Sequence, residues 1–344
     1  MYYMSLLLSP CSFAIAPYGG KMREYYPKFY YSSACLMSEC PDTCCAKWEI
    51  VLNDKDVSFL QSHKMYGRQG LDFIMTDTDG DRCLKLDNKR CPFLNRENLC
   101  DLRLEYSYEN TPEVCRLHPL FVEEYDGFTE KNPSLSCPAV AREVYNFGFC
   151  PDEYPTPVYD GDDTLLCALI ASRSFLLSTD LSKYDIDTVL NGLLHLSLFA
   201  TDNDCSNCTS DEYKRAFVEH ENELDDTECY VSDIKQLILT KSEILEEDWQ
   251  KALSAPEKID RNPIDKKQII AFIRYLVYRY WLKGINFSDG YITALFISLS
   301  VKLCIDLAAD SDLSFLEITR LFSKETEHNS YNSDLIFDFI CDII

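Results

Sequence analysis

From Thr164 onward, apolar residues recur at three- and four-residue spacing through segments 164–178, 187–200, 232–253, 266–283, 288–309 and 314–323. That is the period of helices that bury one face, so the second half of the chain is expected to be a helical bundle. In the fourth segment Ile269, Ile270, Ile273, Leu276, Val277 and Tyr280 form one stripe, with Arg274 and Lys283 off it. Such a stripe reads as core packing, not chemistry. The most apolar stretch, 291–309, contains Lys302 and Asp306. Spanning a bilayer would bury both charges, and a core helix is the better reading.

Before about residue 140 the pattern is different. Segments are short, and the polar clusters 77–81 and 87–89 mark turns. Arg82 to Leu86 and Arg90 to Leu94 read as a small β-hairpin. Asp77 to Asp81 resembles the start of a calcium loop, but its twelfth position is Asn88 where a glutamate is required, so a polar turn is expected. The proline-rich acidic passage 151–157, followed by Asp160-Gly161-Asp162-Asp163, reads as a connector between a first domain, 22–150, and a second, 158–344.

A hydrophobic content of 46% places the chain among folded proteins. Its net charge of -24 and pI near 4.5 argue against nucleic acid and anionic membrane as partners, because each phosphate would need a matching Lys or Arg. The first twenty residues carry no Lys or Arg ahead of the Leu6–Leu8 run, which argues against a secretory leader. Met22 is the expected start, with residues 1–21 a non-native or unstructured beginning. Seventeen cysteines is an odd number in a long chain, which suits thiols kept reduced in the cytoplasm better than a disulfide scaffold.

Ten of those cysteines precede Ala139. Cys35, Cys40, Cys44 and Cys45 fall within eleven residues, and Cys91, Cys100, Cys115 and Cys137 follow. Cys11, Cys167, Cys304 and Cys341 stand alone and read as small core hydrophobes. Cys205-x2-Cys208 lacks a second pair. The clustered eight are different, since closely spaced thiols are an oxidation hazard unless a metal occupies them, and thiolates select zinc or iron–sulfur clusters. The spacing C-x4-C-x3-C-C lacks the paired C-x2-C of a zinc ribbon and favours an iron–sulfur cluster, with zinc as the alternative. The eight are the candidate metal ligands, and which four ligate is open. The expected fold is mainly α: a cysteine-rich N-terminal module with a small β-hairpin around a metal cluster, then a helical bundle.

Several motifs carry a resemblance. Tyr26-Pro27-Lys28-Phe29-Tyr30, the stretch 35–48, Cys91-Pro92-Phe93-Leu94 through Leu99-Cys100, and Leu135-Ser136-Cys137-Pro138 resemble the FliB family of flagellin lysine N-methylases. That family's cysteine-rich module is shared with the zinc- or iron-chelating YkgJ-like domains. Phe272-Ile273-Arg274-Tyr275-Leu276 and 278–283 are similar to the family's aromatic Arg-Tyr helix. The resemblance implies methyl transfer from S-adenosylmethionine to lysines of flagellin or another lysine-bearing protein, dependent on a cluster, expected as 4Fe-4S. One departure stands out: Arg116-Leu117-His118-Pro119-Leu120 follows Cys115 where the family has an aromatic-Pro-Arg segment. Arg116 or His118 would have to substitute. No G-x-G-x-x-G cradle appears, nor the C-x3-C-x2-C of radical enzymes, and no catalytic residue is assigned. His63, His195, His220 and His328 read as structural or exposed, and His118 as the one histidine placed to reach the cluster.

Overall fold

The computed structural model describes residues 22–78, 80–202, 208–219 and 228–344. The segment before Met22, Cys205 and His220 lie outside the described residues. Helix dominates and the strands form three small sheets, as the mainly α reading expects.

After β1 (Arg23–Tyr25) comes irregular chain that carries the first four cysteines, then α1 (Asp54–Ser62). β2 (Lys64–Met65) and β3 (Arg68–Gln69) form a short ladder, β4 (Ile74–Thr76) and β5 (Arg82–Leu84) a hairpin, and α2 (Asp101–Tyr106) and α3 (Glu113–Leu117) follow. Asn53 caps α1 by accepting the Asp56 N–H at 2.9 Å, and Asp56 returns the bond to the Asn53 N–H at 3.2 Å. The same Asp56 carboxylate accepts the Glu113 N–H at 3.2 Å, which fastens the start of α3 to the start of α1. Ile50, Leu60, Met65, Phe73, Phe93 and Val114 belong to the small core these elements enclose.

The hairpin differs from the expected one. Arg82–Leu84 pairs backward with Ile74–Thr76, because Asp77 Oδ1 accepts the Asp81 N–H at 2.9 Å and Gly80 takes a φ of +92° to close that turn. The 87–90 turn is closed by two backbone bonds between Asp87 and Arg90, of 2.8 and 2.9 Å, and gives a single rung. Beyond it Cys91 pairs with Cys45.

β6 (Leu120–Tyr125) and β7 (Phe128–Pro133) are joined through Asp126-Gly127, where Gly127 has the φ of +78° that a two-residue hairpin loop needs. β1 pairs in parallel with the other edge of β7. This sheet and α4 (Pro138–Phe147) pack into the large core of the helical body. A buried ion pair fixes them there: Arg173 of α5 (Thr164–Ser178) donates to Glu130 at 2.8 Å and to the Tyr278 carbonyl at 3.1 Å.

The body continues with α6 (Ile186–Asp202), α7 (Ser210–Val218), α8 (Glu228–Lys241), α9 (Glu247–Ser254), α10 (Lys266–Tyr280), α11 (Gly284–Phe287), α12 (Gly290–Asp310), α13 (Phe315–Phe322) and α14 (Ser330–Ile343). The expected 232–253 helix is two helices. The break falls where Glu325, distant in sequence, accepts the N–H groups of Leu245 (3.0 Å) and Glu246 (2.6 Å) at the start of α9. α12 is long and apolar enough to cross a membrane, yet it is mostly buried inside the body and serves as its core helix.

α10 is buried on every side, which corrects the one-stripe reading. Arg274 is not turned away from the core; it is buried and donates to the carbonyls of Leu177 and Thr179, closing the C-terminal end of α5. Lys283, just past α10, pairs with Glu123 at 2.8 Å. Directly after α13, Ser323–Glu327 forms a π-helical turn whose five residues are all buried. Such turns are rare and frequently mark functional positions.

Candidate metal centre

Every described cysteine is a free thiol. Cys35, Cys40, Cys44 and Cys45 lie on the irregular segment before α1, Cys91 follows the 87–90 turn, Cys100 precedes α2, Cys115 sits within α3 and Cys137 precedes α4. The fold gathers these five stretches. The Cys91 N–H donates to the Cys45 carbonyl at 2.8 Å, beside an antiparallel bridge between Ala46 and Arg90. Leu94 bridges to Cys100 and donates its N–H to the Cys91 carbonyl at 3.1 Å.

On the other flank the Cys40 thiol donates to the Asp42 carbonyl at 3.3 Å. The Asp42 carboxylate accepts from Arg320 at 2.7 Å and from Lys324 at 2.8 Å, and Arg320 also donates to the Ser136 carbonyl at 3.1 Å, next to Cys137. The cysteine segment is thereby tied to the π-helical turn and to the start of α4.

The electrostatics suit a metal. Burial pushes the thiols of Cys40, Cys91, Cys100, Cys115 and Cys137 above their ordinary range, and neighbouring thiolates push further in the same direction. Cys44 is raised chiefly by the neighbouring Cys45 thiol, and Cys44 in turn lowers Cys45 to about 7. Thiolates brought this close repel one another unless a cation stands between them, which is the environment a multivalent metal relieves. The cysteines therefore fit a metal as a donor set.

Among the described residues, Glu49, Asp77 and Cys83 also bring three metal-ligating atoms within 4.8 Å of one another, outside the eight candidate cysteines.

Positive charge reaches this region from residues the sequence did not single out. Arg320 acts on Cys40, and Arg103 and Arg90 act on Cys45. Arg116 is engaged elsewhere, donating to the carbonyls of Glu109 (2.9 Å) and Thr111 and so bracing its own loop. His118 packs edge-on to Trp48 with ring centres 5.5 Å apart, and burial lowers it to about 4, so it is neutral. Its charged neighbours are Lys324 and Asp42. His328 is also embedded: its Nε2 meets the Ser134 hydroxyl at 2.7 Å and the Ser136 hydroxyl at 3.1 Å, and its ring lies 4.5 Å from Trp48. Lys324 bonds Glu246 at 2.7 Å, and Glu246 bonds Lys47 at 2.6 Å, which extends the charged seam to α9.

Residues 34–138 match a family model described as "Putative zinc- or iron-chelating domain". The matched stretch holds all eight candidate cysteines. The chain is also similar to the flagellar biosynthetic protein FliU of Salmonella muenchen, at 24% identity over 127 residues that cover 35% of this chain and 75% of that protein. No solved structure matches the chain.

Proposed function

We propose that this chain is a cytoplasmic metal protein whose N-terminal cysteines hold an iron–sulfur cluster. The observation that carries the reading is the convergence of eight free thiols from five separate stretches within the segment that matches a zinc- or iron-chelating domain. Bound there, the cluster would supply a redox-active or Lewis-acidic centre. The chain's own residues fix the cysteine segment through Asp42, keep water from Cys91 by burying it in the small core, and set cations beside Cys40 and Cys45.

The finer reading is protein-lysine N-methylation with S-adenosylmethionine, acting on flagellin or another lysine-bearing protein. Its support is the resemblance carried by the cysteine and Arg-Tyr motifs, together with the similarity to a flagellar protein. Among the described residues no strand, glycine loop and helix combine into an adenosyl cradle, so no residue is assigned to that cofactor and no step is derived through it. A metal-binding or redox module without methyl transfer is the second reading, favoured by the chelating-domain match.

Anaerobic purification with iron, sulfide and zinc analysis tests the first level. Transfer of labelled methyl groups to flagellin, before and after chelation, tests the second. Iron and sulfide with chelation-sensitive transfer supports the methylase. Metal with no transfer supports the module.

A further inference from the structure

We infer that the eight cysteines form two separate four-thiol metal sites, Cys45, Cys91, Cys100 and Cys115 in one and Cys35, Cys40, Cys44 and Cys137 in the other. The inference rests on the metal-binding reading and deepens it.

Packing divides the thiols first. Cys45, Cys91, Cys100 and Cys115 all belong to or pack against the small core, whereas Cys137 packs against the large core of the helical body. Backbone pairing divides them in the same way. The Cys45–Cys91 bond, the Leu94–Cys100 bridge and the bond from the Asp101 N–H to the Phe93 carbonyl, 2.8 Å, fold three of the first set into one knot. Cys115 completes it from α3, with Cys91, Cys45 and Cys100 as the thiols that act on it.

The second set is assembled by a different chain of contacts. Cys40 is linked through Asp42 and Arg320 to the Ser136 carbonyl, one residue before Cys137. Cys35 and Cys40 are the thiols that act on Cys137, and Cys35 acts on Cys40. Met37 donates its N–H to the Cys35 sulfur at 3.4 Å, which shapes the turn between those two cysteines.

Cys44 and Cys45 are the join. They are adjacent and act on one another electrostatically, yet Cys45 packs against the small core while Cys44 is acted on by Cys115 and also by Cys137. A zinc ion or a cubane takes four protein thiolates, so one site would leave four more thiols crowded together with nothing to hold them. Two sites use all eight, and each set has its own cations, Arg90 and Arg103 for the first and Arg320 for the second.

The two sites differ in access. Cys91 is 7% exposed in the first, while Cys35 of the second lies at the surface. The first is therefore the structural centre and the second the exchangeable one, opening beside the π-helical turn.

The test uses the full chain, purified anaerobically, with iron, zinc and sulfide measured per chain and electron paramagnetic resonance after reduction. Wild type should hold two centres. Cys137→Ser and Cys35→Ser should each lose one centre and keep the other, and Cys100→Ser should lose the complementary one. Because Cys100→Ser perturbs the small core, graded chelation of wild type is the second measurement, and it should release metal in two phases with the exposed site first. One centre per wild-type chain, or loss of all metal in variants of both sets, overturns the inference while leaving metal binding intact. A wild-type chain with no thiolate-bound metal overturns the reading beneath it as well.

Discussion

Replacing Asp42 should loosen the contact between the cysteine segment and the helical body, and the coupling to Lys324 can be isolated. Asp42 lies between Cys40 and Cys44 and is 27% exposed at its side chain, whereas Lys324 is only 3% exposed. Burial opposes charging of Asp42, but Lys324 and Arg320 together hold it below the usual carboxylate range. Removing one partner of a buried ion pair costs about 3–5 kcal/mol, because the other charge is stranded. Here Glu246, 2.7 Å from Lys324, keeps a counter-charge in place, so Asp42→Ala should cost about 2 kcal/mol. At an unfolding entropy of about 2.1 cal/mol/K per residue, that lowers Tm by about 3 °C in a chain of this length. Lys324→Met alone should cost less, since Asp42 retains Arg320 and Glu246 retains Lys47. The double variant should recover about 1 kcal/mol relative to the sum of the singles, read by urea and thermal unfolding with metal content held equal. Additivity of the two substitutions would refute the coupling and with it the claim that this pair anchors the cysteine segment.

Other expectations follow from single residues. Burial raises Glu325 from its ordinary 4.5 to about 7. Its contribution is therefore complete below about pH 4.5 and is lost as pH rises through about 7, so Tm should fall across that window and Glu325→Gln should flatten the fall. Phe93 is fully buried in the small core beside Cys91, and Phe93→Ala should cost about 3–5 kcal/mol and release metal from that side first, seen by metal analysis alongside denaturation. Cys304 is fully buried in the helical body and away from the centre, so Cys304→Ala should leave iron and sulfide content unchanged. Arg274→Met removes the donors that close α5 and should cost about 2–3 kcal/mol by denaturation without altering metal content.

The helices were legible where burial alone dictates them. α5 runs over the expected 164–178, and α6, α10 and α12 fall where apolar spacing put them. The break between α8 and α9 was hidden because its cause, the Glu325 carboxylate, lies some eighty residues away. Ser323–Glu327 reads locally as a polar helix end, and only the fold reveals that Asp42, Glu246, Tyr275 and Leu245 supply partners that let its charges be buried. The β6–β7 hairpin carries its local signal in Asp126-Gly127, a turn pair set between Tyr125 and Phe128. For the candidate metal centre, residue type and clustering pointed to the eight cysteines that the fold brings to one region. Their proposed division rests on contacts from Cys45 to Cys91 and from Asp42 to Arg320, which no local spacing encodes.

X-ray absorption at the metal edge of the anaerobically purified chain tests the central claim most directly. A sulfur shell at roughly 2.3 Å, diminished when cysteines of either set are replaced, is the predicted result. A shell of nitrogen and oxygen alone, unchanged by those replacements, would contradict it.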